Sequence, residues 1–440
     1  MRTAALHNLG CKVNSYETEA MQQLLEEAGY EIVSFHEKAD VYIINTCSVT
    51  NIADRKSRQM LHRAKKQNPE AVVVAAGCYV QSAAEELKAD LAVDVIIGNN
   101  KKQDLVPILE EYFKDRTDSS HVIEINETHE YERLSIHKIA DHTRAFLKVQ
   151  DGCNQFCSYC IIPYTRGRVR SRRPEEVVAE VRELAAAGYQ EVVLTGIHLS
   201  SYGVDFKEEE NENLLSLIRQ VHEVEGIRRI RLGSLEPRII TDEFAKALAS
   251  MPKFCPHFHL SLQSGCDETL KRMNRHYTTE EYAAGCDILR RYFDNPAITT
   301  DVIVGFPGET EEEFEATKAF LERIGFYEMH IFKYSRRAGT RADRMPEQVP
   351  EQIKNVRSEA LLLLEKQMSK AYRESFLGKK KTVLLEEKTE IGGRAYMIGH
   401  TMEYVKAVVP YADDLKNKMT EGILTEALND EVLLLDSNDF

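Results

Sequence analysis

Short apolar runs alternate with amphipathic stretches along the first hundred residues. Five runs are rich in β-branched residues and have the length of buried parallel strands: AALHNL, EIVSF, DVYIINT, AVVVAAG and VDVIIG. Between them, TEAMQQLLEEAGY and ADRKSRQMLHRAKKQNP have helical periodicity, and the second stretch ends before Pro69. This alternation predicts an open parallel α/β sheet over residues 1–115.

A second alternation begins after a polar stretch, residues 116–142, that predicts a linker with one edge strand at most. Six apolar runs, each followed by a helical stretch, lie within residues 143–376: AFLKVQ, EVVLTG, IRRIRLG, HFHLSLQ, ITTDVIVG and EMHIFKY. Six βα units predict a partial TIM-type barrel that does not close. After a long helix over about 350–376, four short strands, KKTVLLEE, GRAYMIGHT, YVKAVV and EVLLL, predict a small β-barrel over residues 377–440.

Composition places this multidomain chain among water-soluble proteins. Of its 440 residues, 43% are hydrophobic and 29% are charged. No apolar run reaches the roughly 20 residues that a membrane-spanning helix needs, and the N-terminus lacks the apolar core of a signal peptide. We therefore expect a cytoplasmic protein without a membrane partner. The net charge of -14 argues against nucleic-acid binding by the whole surface, but it leaves room for a local basic track.

Three cysteines, Cys153, Cys157 and Cys160, follow the first predicted strand of the barrel within eight residues. Active sites of barrel enzymes lie at this carboxyl end of the strands. In a reducing compartment such thiols are metal ligands more often than disulfides. A structural zinc ion needs four protein ligands, and no fourth Cys or His follows closely. The spacing thus favours a 4Fe-4S cluster with one open iron, while zinc stays the alternative.

Three more cysteines each follow a predicted strand of the N-terminal sheet: Cys11 after AALHNLG, Cys47 after VYIINT and Cys78 after AVVVAAG. Taken singly, each would be an ordinary buried thiol. Because open α/β sheets bind ligands at the carboxyl ends of their strands, we expect these thiols to converge on a second site. The other three cysteines show no such pattern.

Together these motifs resemble the radical S-adenosylmethionine (SAM) methylthiotransferase family over essentially the whole chain. The resemblance implies an auxiliary 4Fe-4S cluster on Cys11, Cys47 and Cys78. It implies a second cluster, on Cys153, Cys157 and Cys160, whose open iron binds SAM, and a C-terminal TRAM domain, a small RNA-binding barrel. The stretches LGCKVN and DGCNQFCSYCIIPYTRGRVRSR are most similar to the threonylcarbamoyladenosine branch of the family.

The resemblance further implies a reaction at adenosine 37 of tRNA, beside the anticodon. A radical made from SAM removes the hydrogen at C2, sulfur is inserted, and a second SAM provides the methyl group. An electron donor such as flavodoxin or ferredoxin and a sulfur donor are implied as partners. Alternatives are the same reaction on isopentenyladenosine or on an aspartate of a ribosomal protein, and a zinc-stabilised RNA-binding protein that is not an enzyme.

Residues at the other strand ends of the barrel are expected to contact SAM. The candidates are Tyr159, Gly196, Ser234, Glu236, Gln263 and Gly305. Glycine lets a ligand approach the backbone, and the polar side chains can hydrogen-bond the ribose or amino group of SAM. Each also has a structural interpretation, since Gly196 and Gly305 are equally typical of turns and Tyr159 of a core.

Five arginines directly after the cysteine loop are candidates for binding RNA: Arg166, Arg168, Arg170, Arg172 and Arg173. Arginine suits phosphate recognition because it forms bidentate hydrogen bonds. A helical stripe of Arg55, Arg58, His62 and Lys65 is a second candidate track or a solvated face. The C-terminal region fits RNA less well, since residues 378–440 hold eight basic and twelve acidic side chains.

Overall fold

A computed structural model describes residues 1–116, 119–136, 143–207 and 211–437. Its N-terminal part is a parallel sheet of six strands in the order β2-β1-β3-β4-β5-β6. The strands are β1 (Thr3–Asn8), β2 (Glu31–Ile32), β3 (Val41–Thr46), β4 (Val72–Gly77), β5 (Val95–Ile97) and β6 (Ser119–His121). The predicted parallel sheet is confirmed, because every adjacent pair of these strands runs in the same direction.

Helices cover both faces of this sheet. They are α1 (Lys12–Glu27), α2 (Asn51–Gln67), α3 (Cys78–Ser82), α4 (Ala84–Lys88) and α5 (Leu105–Asp115). Alternate residues of the strands belong to two separate apolar cores, one packed against α1 and α5 and the other against α2 and α3. This two-sided burial explains why the strands are continuous apolar runs in the sequence.

The central part contains six parallel strands, as predicted: β7 (Arg144–Asp151), β9 (Glu191–Gly196), β10 (Arg229–Leu232), β11 (His257–His259), β12 (Ala297–Val304) and β13 (Glu328–Lys333). A short antiparallel strand, β8 (Arg170–Ser171), adds to the edge of β7. Two parallel bridges join β10 to β11, so the strands form one curved layer with β8 and β13 at its edges.

Eight helices accompany the described part of this curved layer: α6 (Ile162–Thr165), α7 (Pro174–Ala186), α8 (Leu214–His222), α9 (Asp242–Ala249), α10 (Asp267–Arg272), α11 (Thr279–Tyr292), α12 (Glu311–Ile324) and α13 (Glu351–Glu374). The largest apolar core of the molecule lies between the strands and these helices. Every second residue of a strand faces this core, and the residues between them face the interior of the partial barrel, called here the lumen.

The predicted linker is an integral part of the structure where it is described. Leu134 and Ile136 are buried in the central apolar core, and the Tyr131 hydroxyl donates to the Lys148 carbonyl oxygen at 2.7 Å. Strand β6 is the edge strand that the sequence allowed. Residues 117–118 and 137–142 of the linker lie outside the described residues.

The C-terminal part is a closed barrel of five strands in the order β14-β15-β16-β18-β17. They are β14 (Lys380–Ile391), β15 (Arg394–His400), β16 (Lys406–Pro410), β17 (Met419–Ala427) and β18 (Leu433–Asp436). Strand β17 was not predicted from the sequence. Its buried positions carry Thr420, Gly422 and Leu424 and its exposed positions include Ile423, so that neither an apolar run nor an alternation marks it.

This C-terminal barrel closes the lumen at the amino ends of the central strands. Arg229, the first residue of β10, donates to the carbonyl oxygens of His400 at 2.8 Å and Thr382 at 2.7 Å. His257, the first residue of β11, stacks on Tyr404 with a ring separation of 4.7 Å. The barrel is therefore the floor of the lumen, opposite the end that carries the cysteine loop.

No helix in the part of the chain that the structure describes has the length and apolar character needed to cross a membrane.

Candidate active site

The cysteine loop that follows β7 forms one wall of an open cleft at the carboxyl ends of the central strands. Cys153, Cys157 and Cys160 all line this cleft. Cys153 is buried, and the other two thiols are half-buried. Burial raises the pKa of the Cys153 thiol to about 11 and that of Cys160 still further. A bound metal would reverse this effect, because its charge stabilises thiolates.

Hydrogen-bond donors point at the sulfur atoms of this loop. The guanidinium of Arg275 donates to the Cys157 Sγ at 3.3 Å, and the amide of Gln155 donates to the Cys153 Sγ at 3.5 Å. The Arg275 side chain is fixed by a second hydrogen bond to the Ser261 carbonyl oxygen at 3.3 Å. A positive charge beside the thiols favours their anionic, metal-binding form. Arg275 carried no signal in the sequence.

Four of the six predicted SAM-contacting residues line the same cleft: Tyr159, Ser234, Glu236 and Gln263. The Glu236 carboxylate is oriented by Arg238 at 2.6 Å. The Tyr159 ring also packs edge-on against Phe306 at 6.3 Å, so it contributes to a small apolar core as well as to the cleft.

The two predicted glycines, by contrast, face protein. A Cβ atom at Gly305 would lie 2.3 Å from the Lys354 Cγ, and the residue has a φ of +71°. A Cβ atom at Gly196 would lie 2.8 Å from the Gln150 Oε1. Their close packing accounts for glycine at both positions, and a direct contact with SAM stays a prediction.

A histidine that the sequence reasoning missed completes the cleft. His198 lies just beyond β9, and its Nδ1 is 2.6 Å from the Ser201 hydroxyl. Burial lowers the pKa of His198 to about 4, so the ring is neutral at pH 7. Its Nε2 atom is buried without a partner among the described residues. A neutral imidazole in this position offers a hydrogen bond to a ligand of the cleft.

The three N-terminal cysteines do converge, at the carboxyl ends of β1, β3 and β4. Electrostatic coupling among their thiols contributes to the raised pKa of Cys11 and of Cys47, although burial is the larger cause in each case. Arg166 Nε donates to the Cys78 Sγ at 3.2 Å, and Asn99 Nδ2 lies 3.6 Å from the same atom. Asn99 follows β5, so it lies at the carboxyl end of a parallel strand, as the three cysteines do.

Cys11 and its neighbour Lys12 have solvent-accessible surface, although protein surrounds their side chains. Desolvation is the main cause of the raised pKa of Cys11 and of the lowered pKa of Lys12. Both side chains therefore border an internal space that is wide enough to admit solvent.

Arg166 lies at the centre of a buried network of charges that joins the two parts of the protein. It pairs with Glu17 of α1 at 2.8 Å and with Asp151 of β7 at 3.1 Å. Lys148 pairs with the same two carboxylates at 2.7 and 2.6 Å, and Lys102 lies 3.1 Å from Glu17. The three cations hold the pKa of Glu17 well below its usual range despite full burial. They outnumber the two carboxylates next to a thiol, and Arg170 adds a fourth cation at 3.7 Å from Asp151.

The prediction that the whole arginine run binds RNA is wrong for three of its members. Arg166, Arg170 and Arg172 are buried and paired with Asp151, Glu17 or Glu180. Buried guanidinium groups need paired carboxylates, and no sequence pattern marked Glu17, Asp151 and Glu180 as these partners. Arg168 and Arg173 are exposed.

The second basic candidate, the stripe on α2, is largely paired with acids as well. Arg58 lies 3.5 Å from Glu86, and His62 and Lys65 each lie 2.8 Å from a carboxylate, those of Asp90 and Asp94. The stripe therefore has less free positive charge than its sequence suggests.

The spacing of the thiols bears on which metal they hold. Thiolates on one zinc ion, at about 2.3 Å from it, lie roughly 3.8 Å apart. Within the described residues, the group with all ligand atoms inside 4.8 Å consists of His259, Asp301 and His330 in the lumen, and neither cysteine triplet meets that limit. Neither triplet is arranged as a single-ion site, and each offers three thiols where a structural zinc ion needs four protein ligands.

Known proteins share both halves of this arrangement. Residues 147–321 match the family model of the radical SAM superfamily, and residues 3–98 match uncharacterized protein family UPF0004. Over 428 residues the chain is 44% identical to the threonylcarbamoyladenosine tRNA methylthiotransferase MtaB of Bacillus subtilis (strain 168), covering 97% of this chain and 94% of that protein. The chain belongs to the radical SAM methylthiotransferase family.

Other similar proteins agree with this assignment. The tRNA-2-methylthio-N(6)-dimethylallyladenosine synthase of Thermoanaerobacter sp. (strain X514) is 37% identical over 87% of this chain and 81% of its own length. The solved structure of the radical SAM methyltransferase TsrM from Kitasatospora setae has a TM-score of 0.58 at 15% identity, covering 78% of this chain and 74% of that one. Because the sequence identity to TsrM is only 15%, this similarity concerns the fold alone.

As a radical SAM methylthiotransferase, the protein is an enzyme that uses SAM and 4Fe-4S clusters. The residues present fit these groups. Each cysteine triplet offers three thiols and a guanidinium at one sulfur, from Arg275 at Cys157 and from Arg166 at Cys78. Membership in this enzyme family rules out the alternative of a zinc-stabilised RNA-binding protein that is not an enzyme.

Gly10 permits the methylthiotransferase's Cys11 loop to approach Cys47. It has a φ of +104°, and a Cβ atom there would lie 2.8 Å from the Cys47 Sγ. We expect Gly10→Ala to displace this loop and to lower the iron content after anaerobic reconstitution by up to about half. Gly188→Ala, also at positive φ but with nothing within 4 Å, is the matched control and should retain its iron. Equal iron in both variants would contradict this role of Gly10.

Proposed function

We propose that the enzyme converts N6-threonylcarbamoyladenosine at position 37 of tRNA to its 2-methylthio derivative. The observation that carries this proposal is the 44% identity to MtaB across 97% of the chain, together with two cysteine triplets whose loops share the Arg166 network. Relatives named for the dimethylallyl substrate are 36–38% identical, over 86–88% of the chain.

Specific residues are proposed to hold each cofactor. Cys153, Cys157 and Cys160 would hold the cluster that binds SAM, and Cys11, Cys47 and Cys78 the auxiliary cluster. When bound, these groups supply a 5′-deoxyadenosyl radical, sulfur for insertion and, from a second SAM, the methyl group.

The chain's own residues bind and shield these groups. Ser234, Glu236 and Gln263 provide polar contacts for SAM from three neighbouring strand ends, and His198 adds a neutral nitrogen. Arg275 and Arg166 stabilise the thiolates to which they donate. The C-terminal barrel excludes water from the lumen at its lower end.

The proposal extends to domains and partners. Residues 1–115 form the auxiliary-cluster domain, 116–142 the linker, 143–376 the radical SAM domain and 377–440 a TRAM domain. Exposed Arg168 and Arg173 are the members of the arginine run left to contact the anticodon loop. A tRNA substrate places the enzyme in the cytoplasm. A low-potential electron donor such as flavodoxin or ferredoxin and a sulfur donor complete the reaction.

The decisive experiment offers the reconstituted enzyme two tRNAs, one with threonylcarbamoyladenosine and one with isopentenyladenosine, under anaerobic reducing conditions. Mass spectrometry of the released nucleosides should show methylthiolation of the first alone. Preference for the isopentenyl tRNA would refute the substrate assignment, and absence of product on both would refute the proposed reaction on tRNA.

A further inference from the structure

Lys12, directly after Cys11, extends into the lumen between the two cysteine sites and the floor. Its Nζ lies 5.7 Å from the ring centre of Phe146, whose neighbours Ala145 and Leu147 face the outer core. Phe146 therefore faces the lumen. The other groups that act on Lys12 include Tyr404, Arg144, Arg231 and Glu191, and Lys12 in turn acts on His257; all of them lie at the lower end of the lumen.

The charges around Lys12 leave its ammonium without a counterion. Arg144 pairs with Glu386 at 3.0 Å, and Arg231 pairs with Glu191 at 2.8 Å. Among the described residues, no carboxylate oxygen lies within 4.0 Å of the Lys12 Nζ. An enclosed cation without a counterion favours an anionic ligand in the adjoining space.

The N6 substituent of the proposed substrate is an anionic ligand that can enter the space beside Lys12. C2 and C6 flank N1 on the same edge of adenine. A nucleoside whose C2 faces the SAM cleft therefore also directs its N6 substituent into the region between the cysteine sites. The threonylcarbamoyl substituent ends in a carboxylate, whereas the isopentenyl substituent is a hydrocarbon.

We propose that Lys12 binds the carboxylate of the threonylcarbamoyl group and so makes the enzyme selective for it. This inference rests on the proposed function. The buried guanidinium groups of Arg166 and Arg172 are not available for this role, because they are already paired with carboxylates. An apolar substituent would leave the ammonium enclosed and unpaired, which is the kind of mismatch that gives strong discrimination.

The test is a double-mutant cycle between the lysine and the carboxylate. Synthetic anticodon stem-loops carry either threonylcarbamoyladenosine or its methyl ester, and kcat/KM is measured for each. For the wild type, esterification should lower kcat/KM by about 10- to 100-fold. For Lys12→Met, the ratio between the two substrates should fall to about one, because the ammonium that distinguishes them is gone.

Two further variants keep the test interpretable. Lys12→Arg retains a cation and should preserve a preference for the free carboxylate. Lys246→Met removes an exposed charge from α9, far from the lumen, and should keep the wild-type ratio. Because a ratio of two substrates is independent of the fraction of active enzyme, a variant with a partly lost cluster still gives a valid result.

The outcomes separate this inference from the proposed function. If Lys12→Met keeps the wild-type ratio while the wild type modifies the threonylcarbamoyl stem-loop, Lys12 does not bind the carboxylate. If the wild type itself modifies only an isopentenyl stem-loop, the proposed function fails and the inference fails with it. A wild-type ratio of one would also overturn the inference, since no residue would then sense the carboxylate.

Discussion

Replacing Cys157 with Ala should abolish SAM cleavage and leave about four of the roughly eight irons that two 4Fe-4S clusters hold. Cys157 lines the cleft with Cys153 and Cys160, and its sulfur accepts the hydrogen bond from Arg275. Replacing Cys47 should also halve the iron. In that variant, SAM cleavage should persist without methylthio product, because Cys47 belongs to the other triplet. Iron analysis and quantification of 5′-deoxyadenosine check both results.

Cys286→Ala is the control for the loss of a thiol as such. Cys286 is buried in the apolar core on α11, away from both triplets. The Cys286→Ala variant should keep all its iron, and its free energy of unfolding should fall only modestly. The assignment of the triplets would be contradicted if Cys157→Ala kept all its iron. It would also be contradicted if Cys47→Ala lost SAM cleavage along with the cluster held by Cys153, Cys157 and Cys160.

Replacing Arg166 with Met should lower the free energy of unfolding by about 3–5 kcal/mol, because Glu17, Asp151 and Asn14 lose the hydrogen bonds that Arg166 donates to them in a buried site. The hydrogen bond to the Cys78 Sγ is lost in the same variant, so the auxiliary cluster should also become easier to remove with a chelator. Urea unfolding of the reconstituted protein and the rate of iron loss measure the two effects.

The matched control is Arg168→Met, two residues away. Arg168 is exposed and rests on the ring of Phe156 at 4.6 Å. Its removal should change the free energy of unfolding by no more than about 0.5 kcal/mol. Similar destabilisation by the two variants would show that the buried network does not depend on Arg166.

The sequence was sufficient to predict elements whose burial is complete. Strands such as Val41–Thr46 and Val72–Gly77 are buried at every position and appear as apolar runs. The position of Cys47 and Cys78 after these strands was enough to predict that they converge, since parallel strands end at one edge. Strand Met419–Ala427 was not predicted because its buried positions carry Thr420 and Gly422 as well as Leu424, and Ile423 is exposed, so that no apolar alternation marks it.

Interactions between distant segments could not be predicted in the same way. Arg166 and Arg168 look alike in sequence, and only the packing of α1 against β7 buries one of them beside Glu17. Arg275 reaches Cys157 across 118 positions of sequence. In the sequence, Lys12 stands out only as part of the LGCKVN motif. Its place in the lumen depends on how the N-terminal sheet and the central strands are assembled.

The floor of the lumen limits how far this protein can be treated as a set of exchangeable modules. Arg229 and Arg231 rely on backbone carbonyl oxygens of Thr382, His400 and Met402 for hydrogen bonds. A chain cut near residue 377 would present these guanidinium groups to solvent and open a second entrance to the reaction space. A chimera that borrows its last sixty residues from a relative must therefore reproduce those carbonyl positions, however similar the two tails are in shape.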